Sequence, residues 1–202
     1  MESIKQSCQV TLEIKKSFFY GFVVPVDDEQ AALSVLEKIR ETYPNANHVC
    51  YAYSVSEGQI IRFSDDGEPK HTAGMPMLGV LQKQGLTNVC AIVVREFGGI
   101  KLGASGLVRA YTKAVSDALK DAVRVTKQHF VRVGFNLSYP AFNKIEHGLD
   151  TLLEKIDLSY TDTVSVEGQL LEEALEHLQA TLQEKAQQVI NLEVLERFSL
   201  FR

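Results

Sequence analysis

Residues 88 to 119 read NVCAIVVREFGGIKLGASGLVRAYTKAVSDAL, and they contain the strongest fold signal in the chain. The unbroken apolar run at 88–94 predicts a strand that is covered on both faces and is therefore central in a sheet. A glycine-rich loop follows at 97–106, and from Leu107 onwards apolar residues recur at the three- and four-residue spacing of an amphipathic helix. This order of strand, loop and helix predicts a mixed α/β architecture.

The sequence before this unit alternates between strand and helix patterns. Aromatic and β-branched residues mark the strands, while Asp28 and Pro44 supply a helix start and stop. A loop with almost no apolar residues follows at 65–71. The predicted elements are a strand at 18–26, a helix between Asp28 and Pro44, a hairpin of strands at 48–55 and 59–63, and a short helix that begins at Thr72 or Met75 and ends near Gln84.

From about residue 134 the strand and helix patterns restart, which predicts a second domain. The order is that of a ferredoxin-like unit that lacks one clear strand, and the segment 158–166 could supply it by splitting into two strands. We therefore expect an α+β fold with domains at 1–132 and 133–202. The predicted elements of the second domain are strands at 135–139, 158–166 and 189–195 and helices at 141–155 and 170–187.

The composition is that of an ordinary globular protein, with 45% apolar and 23% charged residues. No stretch approaches the roughly 20 apolar residues of a membrane span, and residues 1–9 lack the order of a signal peptide. The cysteines form no CxxC pair, which suits reduced thiols, and Cys50 and Cys90 lie in apolar runs that are typical of a core. We expect a cytoplasmic protein with no membrane partner.

The net charge of −5 is unevenly distributed along the chain. Residues 1–132 contain 16 Lys and Arg against 14 Asp and Glu, whereas residues 133–202 contain 5 against 12. Affinity for a phosphate backbone comes largely from Lys and Arg side chains that displace counterions. Any contact with nucleic acid is therefore expected in the first domain.

The glycine-rich loop carries the main candidate site, which would bind an anion or RNA. The first turn of a helix offers free N–H groups and the positive end of the helix dipole, and glycines let an anion approach the backbone. Cations stand at the strand end, within the loop and in the first helical turn. The alternative is that the glycines only shape a tight turn and the cations are solvated or paired to Glu96. The candidate residues are Arg95, Gly98, Gly99, Lys101, Gly103 and Arg109.

A second cluster of acidic residues and a histidine lies at 64–72, after the predicted hairpin. These groups suit a metal site or acid–base chemistry, but acids in such a loop more often cap the next helix, and we favour that interpretation. A histidine at a strand start is likewise more often structural than catalytic. We predict no catalytic residue, metal or cofactor. The residues expected to border the same cleft as the loop are His48, Asp66, Glu68, His71 and Tyr111.

Five segments of the first domain together resemble the YigZ/IMPACT family. The match is dense, ordered and about 65 residues long. In addition, Lys16-Ser-x-Phe19 stands where that family begins. The segments are Ala46-x-His48-x-x-Tyr51-Ala52, Ser64-Asp-Asp-Gly-Glu-Pro69, Thr72-Ala-Gly-x-Pro76, Val93-Val-Arg-x-Phe-Gly-Gly-Ile-Lys-Leu-Gly103 and Gly106-Leu-Val-Arg-Ala-Tyr111.

The resemblance implies an N-terminal domain with the β-α-β fold of a ribosomal-protein or elongation-factor domain. It implies a ferredoxin-like C-terminal domain related to one in elongation factor G. It also implies a role near translation. Eukaryotic relatives restrain an amino-acid-starvation kinase by competing for its ribosome-associated activator. The two-domain layout here is similar to that of the bacterial members, which are suspected of binding nucleic acid or ribosomes.

Three function classes and the oligomeric state stay open at this point. Our first hypothesis is a non-enzymatic, translation-associated regulatory protein that binds RNA or a ribosomal surface through its N-terminal domain. One alternative is a small-molecule phosphate-binding protein, or an enzyme, that uses the loop at 97–106. The other is a protein-interaction module whose acidic C-terminal half contacts a basic protein partner.

Overall fold

The structure, a computed structural model, describes residues 1–187 and 189–202. It divides into two compact units, which we call the N-terminal unit (Met1–Thr126 with Phe201–Arg202) and the C-terminal unit (Lys127–Leu200). Sheets and helices occur together, so the mixed α+β fold class predicted from the sequence is confirmed. In the described part of the chain, no helix is long and apolar enough to span a membrane.

The N-terminal unit is a sheet with helices on both faces. Its elements, in chain order, are β1 (Glu2–Ile4), β2 (Cys8–Ile14), β3 (Ser17–Pro25), α1 (Glu29–Thr42), β4 (His48–Val55), β5 (Ile60–Ser64), α2 (Gly74–Lys83), β6 (Val89–Glu96), α3 (Ala104–Ala118) and the start of β7 (Arg124–Leu137). Five strands form an antiparallel sheet in the order β2-β3-β6-β4-β5. The central strand predicted from the apolar run is confirmed as β6.

Strand β6 is buried on both faces, which explains its unbroken apolar sequence. Ala91 and Val93 belong to the core that packs with α2 and α3. Cys90, Ile92 and Val94 belong to the opposite core, which packs with α1. Because successive residues of a strand point to opposite faces, each position of this run fills one of the two cores.

Helix α1 begins and ends where the local chemistry predicts. Asp28 Oδ1 accepts a hydrogen bond of 2.7 Å from the N–H of Ala31, which caps the first turn. The helix ends at Thr42, shortly before Pro44, because a proline ring clashes with the preceding helical turn. The helix predicted between Asp28 and Pro44 is therefore confirmed.

The C-terminal unit has the strand and helix order of a ferredoxin-like fold. After β7 come α4 (Tyr139–Ile145), α5 (Leu149–Leu152), β8 (Glu154–Tyr160), β9 (Val164–Leu171), α6 (Leu175–Ala186) and β10 (Glu193–Phe201). The strands lie in the order β7-β9-β8, and β10 pairs with β7. Alternate residues of β7 and β9, among them Val133 and Val166, share a core with Leu178 and Leu182 of α6.

Several element boundaries predicted for this unit are wrong, because apolar spacing alone does not separate short helices from strands. The helix predicted at 141–155 ends at Leu152, and Leu153 adopts extended backbone angles that lead into β8. The segment 158–166 does split between β8 and β9. The first residues of the helix predicted at 170–187 belong to β9 instead. The strand predicted at 189–195 is β10, which begins later than expected.

The division between the two units falls within β7, after Thr126. The boundary that we expected after residue 132 lies further along the same strand. A continuous strand contains neither turn residues nor the composition of a linker. The sequence therefore carries no local signal for the point of division.

Cys50 and Cys90 are both fully buried, as the sequence predicts. Burial raises the pKa of each thiol from 9.0 to about 12, so both thiols stay protonated in the folded protein at neutral pH. When the chain unfolds, the thiols are exposed and ionise near their ordinary pKa. Their contribution to stability is therefore fully present below pH 9 and is lost as the pH rises towards 12.

We expect the substitution Cys90→Ala to make the alkaline loss of stability less steep. Between pH 9 and about pH 11, the free energy of unfolding of the wild type should fall faster than that of the variant by about 1.4 kcal/mol per pH unit, because the variant has one fewer thiol that ionises only on unfolding. Urea denaturation at several pH values measures both slopes. Equal slopes would show that hydroxide reaches the Cys90 thiol in the folded protein.

Candidate functional site

The glycine-rich loop connects β6 to α3 and ends at Gly103, the residue before the helix. Gly103 precedes α3 with a φ of 74°, a conformation that favours glycine, and as the residue before the helix it has no side chain to cap the first turn. The N–H of Leu107 donates to the carbonyl of Gly103. The N–H groups between these two residues belong to the first turn, whose donors have no acceptor within the helix. This end of α3 therefore offers backbone donors and a positive partial charge.

The loop is held in place by the turn between β2 and β3 and by the residue before β4. A Cβ atom on Gly98 would lie 1.8 Å from the carbonyl oxygen of Lys16, so only glycine fits there. The N–H of Gly98 donates to Ser17 Oγ at 3.2 Å, and the N–H of Phe97 donates to Asn47 Oδ1 at 2.7 Å. The glycine-rich loop is thus fixed on two sides before α3 begins.

A buried ion pair lies directly beneath the loop. Arg95, at the end of β6, donates from Nη1 to Glu68 Oε1 at 2.6 Å, and the two side chains are only 7% and 3% exposed. The hydroxyl of Tyr111, from α3, donates to the same carboxylate oxygen at 2.8 Å. The guanidinium also lies 5.5 Å from the centre of the Phe19 ring and 5.4 Å from that of Phe97. Glu68 thereby joins the 65–71 loop to both β6 and α3.

Tyr111 takes part in this pair only as a neutral donor. Burial, together with the neighbouring Cys50 and Glu68, raises the pKa of the Tyr111 hydroxyl well above its usual range. Cys50 Sγ lies 3.5 Å from the same hydroxyl and stays protonated for the same reason. These two groups are therefore poor nucleophiles, and their place in the structure is that of packing and hydrogen bonding.

His48 stands beside Arg95 in the sheet, since these residues are paired between β4 and β6. Its Nδ1 lies 2.8 Å from the carbonyl oxygen of Asp66, and its Nε2 lies 3.9 Å from Glu68 Oε2. The Asp66 carboxylate accepts from the N–H of Val49 at 2.7 Å and from Arg40 at 3.1 Å. The acidic loop, residues 65–71, thus closes against the start of β4 through its own backbone and side chains.

Asp65, which lies in the same loop, caps the next helix, as we predicted. Asp65 Oδ1 accepts from the N–H groups of Ala73 and Gly74 at 3.0 and 2.9 Å. Its Oδ2 accepts from the N–H of His71 at 2.8 Å. Asp65 therefore fixes the start of α2. Among residues 1–187 and 189–202, no cluster of three or more His, Cys, Asp or Glu side chains is arranged to hold a metal ion.

A cavity of about 420 Å³ opens between the glycine-rich loop, the start of α3 and the ends of β4 and β6. We call it the loop cavity. Polar groups line one part of it and apolar side chains the rest. Its lining residues are Asn47, His48, Glu68, Pro69, Arg95, Phe97, Lys101, Leu102, Gly103, Ala104 and Leu107.

Several residues predicted from separate parts of the sequence meet at this cavity. Arg95, Lys101 and Gly103 come from the strand, loop and helix unit, and His48 and Glu68 come from the hairpin and the acidic loop. Sequence reasoning missed the remaining lining residues, most of which are apolar. Leu102 and Ala104 could have been found from their position, since they directly precede and follow Gly103.

Other predicted residues lie outside the lining of the cavity. Arg109 is exposed on α3 and follows Leu107 by two positions, a rotation of about 200° around a helix, so it faces away from the cavity. His71 is exposed, and its ring centre lies 6.4 Å from that of Phe63. Asp66 contacts His48 and Tyr111 contacts Glu68, but neither is among the lining residues. Gly98 and Gly99 shape the loop without lining the cavity.

The whole loop cavity lies within a recognised family domain. Residues 15–119 match the Impact N-terminal domain. The chain belongs to the IMPACT family. It is 40% identical to the IMPACT family member YvyE of Bacillus subtilis over 82% of this chain and 77% of that protein. It is 39% identical to the IMPACT family member YigZ of Escherichia coli over 68% of this chain and 69% of that protein.

A crystal structure described only as that of a hypothetical protein has a similar fold. It aligns with a TM-score of 0.64 and 31% sequence identity, over 96% of this chain and 97% of that chain. The resemblance that the sequence motifs indicated is therefore confirmed. The family-domain match covers residues 15–119, which lie in the N-terminal unit, and the structural likeness extends over most of the chain.

Proposed function

We propose that this IMPACT-family protein is a non-enzymatic regulatory protein of translation that binds RNA through its N-terminal unit, with an RNA phosphate in the loop cavity. The observation that carries the proposal is the uncapped start of α3, which opens on the same cavity as Lys101. Backbone N–H groups at a helix start and a nearby ammonium group are the donors that a phosphate requires.

The charges around the loop cavity favour an anion. The charge of Arg95 is balanced by Glu68, which accepts from it at 2.6 Å. Lys101 is exposed, and in the described part of the chain no carboxylate forms an ion pair with it. The start of α3 adds about half a positive charge. The cavity therefore has a positive excess that a phosphate would neutralise.

Arg95 gives a second indication of a ligand. Its Nε is buried and has no hydrogen-bond partner among residues 1–187 and 189–202. Buried donors almost always have a partner, so an unpaired one suggests that an acceptor is missing. Phe97 lies over this guanidinium, lines the cavity and is 44% exposed, so the unpaired donor belongs to a group at the wall of the cavity.

Aromatic exposure and charge distribution favour RNA over a simple inorganic anion. The exposed Phe97 ring offers a surface on which an unpaired base can stack beside a bound phosphate. The C-terminal unit, residues 127–200, contains 6 Lys and Arg against 12 Asp and Glu, which disfavours a phosphate backbone there. The role near translation that the family resemblance implies agrees with an RNA ligand.

We expect Lys101→Ala to weaken the binding of single-stranded RNA by about 1–2 kcal/mol, roughly 5- to 30-fold, and to lower the salt dependence by about one released counterion. The matched control is Lys38→Ala, which removes an exposed lysine of α1 on the opposite face of the sheet. Filter binding over a range of salt concentrations measures both quantities. If both variants bind RNA with the same affinity as the wild type, the loop cavity is not the phosphate site.

A small phosphate-bearing ligand is the second candidate, because the cavity volume of about 420 Å³ lies in the range of small-molecule sites. A competition experiment separates the two. We expect a nucleoside monophosphate to displace RNA only at concentrations far above those of competing RNA. Displacement at equal or lower concentrations would instead assign the cavity to the small ligand.

A further inference from the structure

The hydrogen bond between His48 and the acidic loop fixes which ring nitrogen carries the proton. Nδ1 lies 2.8 Å from the carbonyl oxygen of Asp66. A carbonyl oxygen only accepts hydrogen bonds, so Nδ1 must donate. In the neutral imidazole the other nitrogen, Nε2, then has a free lone pair. His48 therefore meets the loop cavity, which it lines, as an acceptor.

A carboxylate close to this lone pair is another acceptor. Nε2 lies 3.9 Å from Glu68 Oε2, too far for a hydrogen bond. The other oxygen of this carboxylate, Oε1, already accepts from Arg95 and Tyr111. An ionised carboxylate has no proton to give. With neutral His48, the two acceptors thus face one another, and a ligand group that donates a hydrogen bond would satisfy this side of the cavity.

The loop cavity therefore combines two kinds of polar surface. Lys101 and the start of α3 supply donors, which suit a phosphate, whereas His48 and Glu68 supply acceptors, which suit a hydroxyl or amino group. A phosphodiester has only acceptor oxygens and cannot serve both. In RNA the donor closest to the phosphates of every nucleotide, whatever its base, is the ribose 2′-hydroxyl, and DNA lacks this group.

We propose that the loop cavity selects RNA over DNA because His48 Nε2 accepts a hydrogen bond from a ribose 2′-hydroxyl. This inference rests on the proposed RNA-binding function and adds the chemical group that is recognised. The bond from Nδ1 to Asp66 already holds the His48 ring in place, and the same side chain also lines the cavity.

The test compares one short single-stranded sequence made as RNA, as 2′-fluoro RNA and as DNA. A 2′-fluoro group keeps a ribose-like sugar conformation but has no proton to donate. At pH 8 the full-length protein should bind RNA about 3- to 10-fold more tightly than either analogue, the range expected for one hydrogen bond. Fluorescence anisotropy at fixed salt measures the three affinities.

Two substitutions connect the preference to His48. His48→Phe keeps a ring but removes the acceptor, so the ratio of RNA to 2′-fluoro RNA affinity should fall to about one. His48→Gln retains an acceptor and should keep part of the preference. Lys101→Ala, in contrast, should weaken all three strands by a similar factor, because it removes a phosphate contact.

Each outcome decides a different point. If wild-type protein binds RNA and 2′-fluoro RNA equally, the 2′-hydroxyl inference is wrong while the RNA-binding proposal stands. If the wild type prefers RNA and the folded His48→Phe protein keeps this preference, another group binds the 2′-hydroxyl and the proposed role of His48 is wrong. If no strand binds at low salt, the proposed function itself fails, and this inference fails with it. The comparison of strands on wild-type protein needs no variant to fold.

Discussion

Glu68→Ala is expected to lower the free energy of unfolding by about 3–5 kcal/mol, which is the usual cost of removing one partner from a buried ion pair. The Arg95 side chain is only 7% exposed and would keep its charge without a counterion. The hydroxyl of Tyr111 would lose its acceptor in the same substitution. Urea denaturation followed by circular dichroism measures the change.

The matched control is Glu41→Ala, which removes an exposed glutamate of α1 and should change stability by less than about 0.5 kcal/mol. The double substitution Glu68→Leu with Arg95→Met should recover most of the loss, because no buried charge then lacks a partner. A Glu68→Ala variant as stable as the control would mean that Arg95 reaches water in the folded protein and that the site beneath the loop is open.

Gly98→Ala is expected to destabilise the protein by about 3 kcal/mol, at the upper end of the usual range for overpacking. The added Cβ would lie 1.8 Å from the carbonyl oxygen of Lys16 and 2.0 Å from its carbonyl carbon. These are backbone atoms, so they cannot move aside by a side-chain rotation. The turn between β2 and β3 or the glycine-rich loop would have to shift as a whole.

Gly79→Ala is the comparison for this substitution. Gly79 lies within α2, and a Cβ there would meet nothing within 4 Å. Alanine is the better helix former, so the variant should be more stable than the wild type by about 0.5–1 kcal/mol. Thermal denaturation of both variants measures the two changes. The same sign for both would contradict the close packing of Gly98 against Lys16.

The central part of the fold could be predicted from the sequence because burial leaves a direct pattern there. The run at 88–94 is apolar throughout because β6 is covered on both faces. Strand β2 has a pattern that could also have been used, since Val10, Leu12 and Ile14 alternate with exposed residues. Strand β1 is only three residues long and has no such pattern. Its pairing with β7 is a tertiary effect.

The sequence indicated which residues meet at the cavity, but it did not show how they interact. The motifs indicated His48, Glu68, Arg95 and Lys101, and all four line one cavity. The sequence could not show that Arg95 is neutralised by Glu68, because these residues are separated by 27 positions and meet only through the fold. It therefore overstated the number of cations available to a ligand.

The order of strands in the N-terminal sheet has a consequence for how the protein is made. Strands β2 and β3 form one hairpin and β4 and β5 another, and β6 is inserted between β3 and β4. Isolated two-stranded hairpins are marginally stable in water. During synthesis, the two hairpins therefore have no shared sheet until β6 has left the ribosome. Assembly of the cavity therefore requires β6, because this one strand joins both halves of the sheet and brings Arg95 to Glu68.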